Sequence, residues 1–278
     1  MLTCGQFNLD LTNPIVMGIL NTTPDSFSDG GQFQVVDQAV KYALQMEADG
    51  AAIIDIGGES TRPGADDVSL QLELDRVIPI IEKLSSILSI PISIDTSKPE
   101  VMKEAVSAGA GMVNDVMALQ LDDSEAVLAE LDDSIAICLM HMQGLPRTMQ
   151  QAPSYNDVLN DVISFLKERV ESCAEKGISK QRLIIDPGFG FGKKLEHNLT
   201  LLANLEYFNK MNLPILVGLS RKSMLGAILN DAPVDKRLFA SVTAAVLAFE
   251  RGAQIIRVHD VKETVEALKV AQAVMSYT

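Results

Sequence analysis

The sequence predicts an α/β fold, a (β/α)8 TIM barrel with a short N-terminal β-hairpin, on three observations. Eight short runs of strand character recur along the 278 residues, their apolar residues are nearly continuous rather than alternating, and helical patterns separate them. Continuous apolar runs belong to strands covered on both faces of a parallel sheet. Strand and helix in alternation make right-handed βαβ units, and eight of these close into a barrel of ordinary length. Residues 1–278 are therefore expected to form one domain. An open doubly wound sheet, the competing arrangement, wants a glycine-rich dinucleotide turn after its first strand, and the N-T-T-P found there is not one.

The first dozen residues, CGQFNLDL among them, read as a hairpin capping the barrel bottom. Strand one is IVMGIL from Ile15; the polar stretch NTTPDSFSDGG follows, and helical periodicity resumes at about Asp37. So long a polar connection reads as a binding loop or lid rather than a turn. Strand two is AAIIDIG from Ala51 and strand three PISID from Pro91. Pro99 then opens the helix PEVMKEAVSAGA and Gly109 closes it, the expected punctuation of a helix. Strands four and five, GMVNDV from Gly111 and SIAICLM from Ser134, precede a helical face made by Val158, Leu159, Val162, Ile163, Leu166 and Val170. LIIDPG from Leu183, PILVGLS from Pro214 and IIRVHD from Ile255 complete the eight.

Composition excludes several function classes. A net charge of -14 with a pI near 4.6 opposes nucleic acid, which needs a basic footprint. No 18-residue apolar run is present, so no membrane span is expected. The start, MLTCGQFNLD, has the pattern of no secretory signal, and a cytoplasmic location is expected. Cys4, Cys138 and Cys173 have no C-x-x-C spacing, and Cys138 and Cys173 read as buried thiols.

Active sites of such barrels lie at the C-terminal strand ends. Polar residues gather there: Asn21; Glu59, Ser60, Thr61 and Arg62; Asp95 and Thr96; Asn114 and Asp115; His141; Asp186; Ser220, Arg221 and Lys222; and Arg257, His259 and Asp260. Asp95, Asn114 and Asp186 interrupt apolar runs, and a buried carboxylate or amide needs a partner that a ligand can supply. They could ligate magnesium or manganese, but the preferred reading is a slot for a flat heterocycle. An ionised Asp accepts two parallel N–H groups, and an Asn both donates and accepts. Arg62, Lys222, Arg257 and His259 come from strands two, seven and eight, neighbours once the barrel closes, and in so acidic a chain they suit a phosphate or diphosphate. Two decoys fall away. GFGFGKK at 188–194 has Pro187 and Lys194 where a P-loop needs Gly and Ser or Thr, and no serine sits in a G-x-S-x-G elbow.

Over essentially its whole length the chain resembles the dihydropteroate synthases, through MGILNTTPDSFSDGG, AAIIDIGGESTRPGA, PISIDTSKPEV, GMVNDV, LMHMQG, IIDPGFGFGK, LVGLSRKSMLG and IIRVHDVKET. The resemblance implies a homodimeric barrel that joins 6-hydroxymethyl-7,8-dihydropterin diphosphate to p-aminobenzoate, with magnesium assisting. It implies that Asp95, Asn114, Asp186 and Lys222 hold the pterin, and that Asn21 meets magnesium on the diphosphate. Thr61, Arg62, Arg257 and His259 would contact the diphosphate or the ring, with Arg62, Lys222, Arg257 and His259 the catalytic cations. Phe27, Pro63, Phe191, Ser220 and Lys222 would shape the p-aminobenzoate pocket under loops that close. No strong general base is evident, so a dissociative, SN1-like path is expected. Methyltetrahydrofolate-dependent methyltransferases share the Asp95, Asn114 and Asp186 set but would need neither the diphosphate cations nor the NTTPDSFSDGG loop. A non-catalytic pterin-binding barrel should have lost the anion side, which is present here.

Overall fold

The computed structural model of the protein describes residues 1–22, 32–60, 67–145 and 147–277. The hairpin expected at the start is there: β1 (Leu2–Cys4) pairs antiparallel with β2 (Phe7–Leu9), Leu2 opposite Leu9. Eight parallel strands follow among the described residues: β3 (Ile15–Asn21), β4 (Ile53–Gly57), β5 (Ile92–Asp95), β6 (Met112–Asp115), β7 (Ala136–Met140), β8 (Leu183–Asp186), β9 (Leu216–Val217) and β10 (Ile255–Val258). Their order is β8-β7-β6-β5-β4-β3-β10-β9, and a parallel bridge between Ile185 and Ile215 joins the two ends into a barrel.

Alternation along each strand, hidden in the apolar runs, separates two cores. Val16, Ile54, Ile94, Val113, Ile137, Ile185 and Ile256 belong to the large cluster shared with the helices. Met17, Ile53, Met112, Cys138, Ile184, Leu216 and Ile255 form the barrel interior together with Leu2 and Cys4 of the hairpin. The hairpin therefore plugs the bottom, and each fully buried aliphatic side chain there contributes about 1.5–3 kcal/mol. Cys138 and Cys173 are buried, as read from the sequence, and Cys4 is buried as well. The hairpin approaches so closely that a Cβ on Gly111 would lie 2.5 Å from Cys4 O.

Local signals set several helix ends. Asp157 caps helix Val158–Glu175 by accepting from Leu159 N and Asn160 N, each at 3.1 Å. Pro99 opens helix Pro99–Ser107, and Gly109 beyond its end takes φ +117. The first helix departs from expectation: it begins at Gln32, not at about Asp37. Val35 and Val36 are weak helix formers, so the pattern becomes legible only after them. Val36 nevertheless packs against the core.

Candidate functional site

Strand register builds the site. Asn21 pairs with Gly57, Gly57 with Asp95 and Asp95 with Asn114, so one row of the barrel's upper interior crosses β3 to β6. Paired residues point to the same face about 4.8 Å apart. Gly57 leaves this row open: a Cβ there would lie 3.6 Å from Asp95 Cβ and 3.9 Å from Asn21 Oδ1.

Arg257 reaches from β10 to the floor of this row. Its Nε donates to Asp55 Oδ2 at 2.6 Å and its second guanidinium nitrogen to Asp95 Oδ2 at 2.7 Å, while Asn114 Nδ2 donates to Asp55 Oδ2 at 3.2 Å. Desolvation pushes the Asp95 carboxyl up to about 7; Arg257 pulls it down, and Asp55 and Asp115 push it up. Desolvation also opposes the Arg257 charge, but Asp55 and Asp95 outweigh it and hold the guanidinium above its ordinary range. Asp55 Oδ1 and Asp95 Oδ1 are buried with no hydrogen-bond partner among the described residues.

The opposite wall comes from β8, β9 and the loops above them. Asp186 Oδ1 accepts from Gly188 N at 2.7 Å, and desolvation raises its carboxyl pKa against the pull of Lys222 and of the Gly188 N–H. Lys222 Nζ donates to Phe189 O and lies 4.6 Å from the Phe191 ring centroid. Desolvation lowers its ammonium to about 8, with Asp186 opposing and Arg257 adding to the shift. Ser220 Oγ lies 3.0 Å from His259 Nδ1 and accepts from His259 N at 3.2 Å. Directly after Ser220, Arg221 takes φ +58 and turns its side chain to Asp260, with Nε to Oδ2 at 3.0 Å.

The structure thus brings Asp95, Asn114, Asp186, Lys222 and Arg257 to one end of the barrel. It sets Asn21 in the row with Asp95, Phe191 against Lys222, and Ser220 against His259. Phe27, Thr61, Arg62 and Pro63 lie outside the described residues, as does most of the NTTPDSFSDGG stretch. The sequence groups Arg257 with the cations; the structure adds that two carboxylates engage it. Asp55 was missed: its signal is its position two residues before Gly57 on the same strand, hence on the same interior face. Lys193, dismissed with its motif, is buried against His141.

A metal at Asp95 would have to displace the guanidinium that already engages it. Among the described residues no group of three or more His, Cys, Asp or Glu side chains could hold a metal ion. Asn21 presents a single hard oxygen, which suits an ion delivered on a phosphate group and ligated mainly by phosphate oxygens and water.

The model of the family described as pterin binding enzyme matches residues 17–259, from β3 through His259. The chain is 53% identical over 269 residues to the dihydropteroate synthase of Escherichia coli (strain K12), covering 97% of this chain and 94% of that one. With the Haemophilus influenzae dihydropteroate synthase it shares 51% over 265 residues, 95% of each. Among solved structures, Yersinia pestis dihydropteroate synthase with a sulfonamide drug superposes at TM-score 0.93, with 51% identity and 99% of both chains covered. The Burkholderia cenocepacia enzyme complexed with 7,8-dihydropteroate gives 0.90 at 45% identity, covering 99% of this chain and 96% of that one. The match runs through every strand that contributes to the polar row and its opposite wall, and the chain belongs to the dihydropteroate synthases of the pterin-binding enzyme family.

Proposed function

We propose that the chain joins 6-hydroxymethyl-7,8-dihydropterin diphosphate to p-aminobenzoate, giving 7,8-dihydropteroate and diphosphate in folate biosynthesis. The observation that carries this reading is the pair of unpartnered buried oxygens, Asp55 Oδ1 and Asp95 Oδ1, facing a floor already set by Arg257 and Asn114. Buried acceptors left unmade cost about 1–3 kcal/mol each. A ring edge rich in N–H donors removes that cost. Asp186 takes the amino-pyrimidine edge, Asn114 donates and accepts, Lys222 meets ring heteroatoms, and Arg257, fixed by two carboxylates, offers a flat cation to the ring face. Related structures support the two ligands: the Xanthomonas albilineans synthase holds 4-aminobenzoic acid and the Burkholderia cenocepacia synthase 7,8-dihydropteroate.

In the reaction the methylene C–O bond breaks with its electron pair leaving on diphosphate, the arylamine nitrogen forms the new C–N bond, and the ammonium proton passes to solvent. A dissociative order fits the wall residues. Asp95 and Asp186 can stabilise the cation delocalised into the dihydropterin. His141 is unsuited to act as base, since burial and then Lys193 push its ring down to about 2. Asn21 would be the described ligand of a magnesium ion carried on the diphosphate, which would supply neutralising charge to the leaving group. His259 and Lys222 supply the described part of the cationic side, and Ser220 and Phe191 that of the arylamine pocket; the roles expected of Phe27, Thr61, Arg62 and Pro63 fall outside the described residues.

The same reading includes a cytoplasmic homodimer. Helices Leu238–Glu250 and Val261–Met275 leave Phe239, Val270 and Val274 exposed, an apolar face of the kind association covers. No described helix is long and apolar enough to cross a membrane. A coupled assay of diphosphate release, with and without p-aminobenzoate, tests the reaction; release that depends on the arylamine is expected, and no product with any arylamine would sink the proposal. A secondary isotope effect at the methylene well above unity marks the dissociative path, and a value near unity points to direct displacement.

A further inference from the structure

The GFGFGKK run is no P-loop, yet its first lysine is deeply engaged. Lys193 is 3% exposed. Its ammonium lies 2.8 Å from His141 Nδ1 and donates to Gly188 O at 2.8 Å, Phe191 O at 3.0 Å and His141 O at 3.3 Å. An ammonium has three N–H donors and is costly to bury unless they are paired, so this one is committed to the loop that encloses it. Gly188, Gly190 and Gly192 take φ +70, +82 and +61, letting the backbone curl around the charge. The loop is drawn tightly onto the end of β7: a Cβ on Gly188 would lie 1.8 Å from His141 O, and one on Gly192 2.4 Å from Gln143 O. The other side of the same loop serves the site. Gly188 N–H holds Asp186, Phe189 O receives Lys222, and the Phe191 ring lies against the Lys222 ammonium.

We propose that Lys193 is a positioning residue for pterin recognition, its side-chain nitrogen acting as an internal hydrogen-bond donor that fixes loop 188–192 so that Asp186 and Lys222 face the ring. The inference rests on the pterin reading of the site. His141 is the matching side chain, its Nδ1 2.8 Å from the Lys193 nitrogen. Removing either group frees the loop from β7 and loosens both ring-facing side chains together.

Calorimetric titration of the full-length protein with the dihydropterin diphosphate, alongside steady-state kinetics, provides the test. Lys193→Met keeps the aliphatic stem and removes the donors; Kd and KM for the pterin are expected to rise about tenfold or more, equivalent to roughly 1.4 kcal/mol. His141→Asn keeps an acceptor near the Nδ1 position and should stay within about threefold of wild type, whereas His141→Leu should follow Lys193→Met. That pair decides the matter if Lys193→Met does not fold. A lesion that merely reduces the folded fraction lowers kcat and leaves the pterin KM unchanged. Such a pattern, or equal behaviour of His141→Asn and His141→Leu, overturns the assignment. Wild-type protein that binds no dihydropterin diphosphate would overturn the pterin reading first, and the assignment with it.

Discussion

Asp55→Asn is the perturbation whose outcome the floor geometry constrains most tightly. The substitution keeps the shape of the side chain and removes its charge. Asp55 Oδ2 accepts from Arg257 Nε at 2.6 Å and from Asn114 Nδ2 at 3.2 Å. A hydrogen bond to a charged group is worth about 1.5–3 kcal/mol and a weaker one about 1, so the gross loss is roughly 2.5–4 kcal/mol. It stays below the full cost of breaking a buried ion pair because Arg257 retains Asp95. The loss also depends on pH. The folded pKa of Asp95, about 7, lies above the ordinary carboxylate range, so the native state holds that proton more tightly and the wild type loses stability as pH rises through this window. Part of the elevation is the like charge on Asp55. Removing that charge lowers the Asp95 pKa and narrows the window, returning about 1.4 kcal/mol for each unit of the fall. Urea denaturation should therefore show a larger deficit at pH 5 than at pH 8, and carboxyl NMR should show Asp95 titrating lower in the variant. A deficit equal at the two pH values, or greater at pH 8, would refute the coupling of Asp55, Arg257 and Asp95.

Asp186→Asn presents a donor where the ring is expected to donate, and should weaken pterin binding by about 2–3 kcal/mol, near a hundredfold; calorimetry showing unchanged affinity removes Asp186 from the ring edge. Because desolvation lowers the Lys222 ammonium to about 8, affinity for the pterin diphosphate should decline above that pH by up to about tenfold per unit. In Lys222→Met this alkaline limb should vanish, and its persistence would assign the limb to another group. Gly57→Ala should fold with stability within about 1 kcal/mol of wild type, since the new Cβ makes only ordinary contacts at 3.6 Å or more. It fills the gap between Asn21 and Asp95, so kcat/KM should fall about tenfold or more; full activity would show that the gap is unused.

Barrel topology was legible because parallel strands buried on both faces leave continuous apolar runs, and a polar residue inside such a run stands out. Asp95, Asn114 and Asp186 were found in that way. Asp55 interrupts its run as plainly, but its importance depends on a contact with Arg257 from 202 positions away. Local pattern carries no information about that distance. Lys193 escaped for another reason: matching GFGFGKK to phosphate-binding motifs asks what the loop holds outside itself, whereas its glycines curl it around its own ammonium. Strand seven was read from PILVGLS but pairs as a strand only over Leu216–Val217, after which Gly218 and the turn at Arg221 redirect the chain. That early ending brings Ser220 and Lys222 over the barrel mouth.

Charge balance connects this geometry to the proposed reaction. In the floor of the row two carboxylates, Asp55 and Asp95, share the single guanidinium of Arg257, leaving one excess negative charge there when both are ionised. An excess buried charge is unfavourable without a counter-charge or donors. Desolvation first, and then the like charge of Asp55, raise the Asp95 pKa to about 7, so the free site relieves the excess by taking a proton near neutrality. A pterin with several N–H groups relieves it without a proton, and the relief is greatest when the ring itself is positive. In the proposed dissociative reaction, departure of diphosphate would create such a ring, with the charge of the methylene carbon spread toward the ring nitrogens. Interactions that strengthen as charge develops lower the barrier rather than merely the binding free energy. The excess of one carboxylate therefore disfavours the empty floor and favours the cationic intermediate. A neutral floor, as in Asp55→Asn, should consequently lose more in kcat than in pterin affinity.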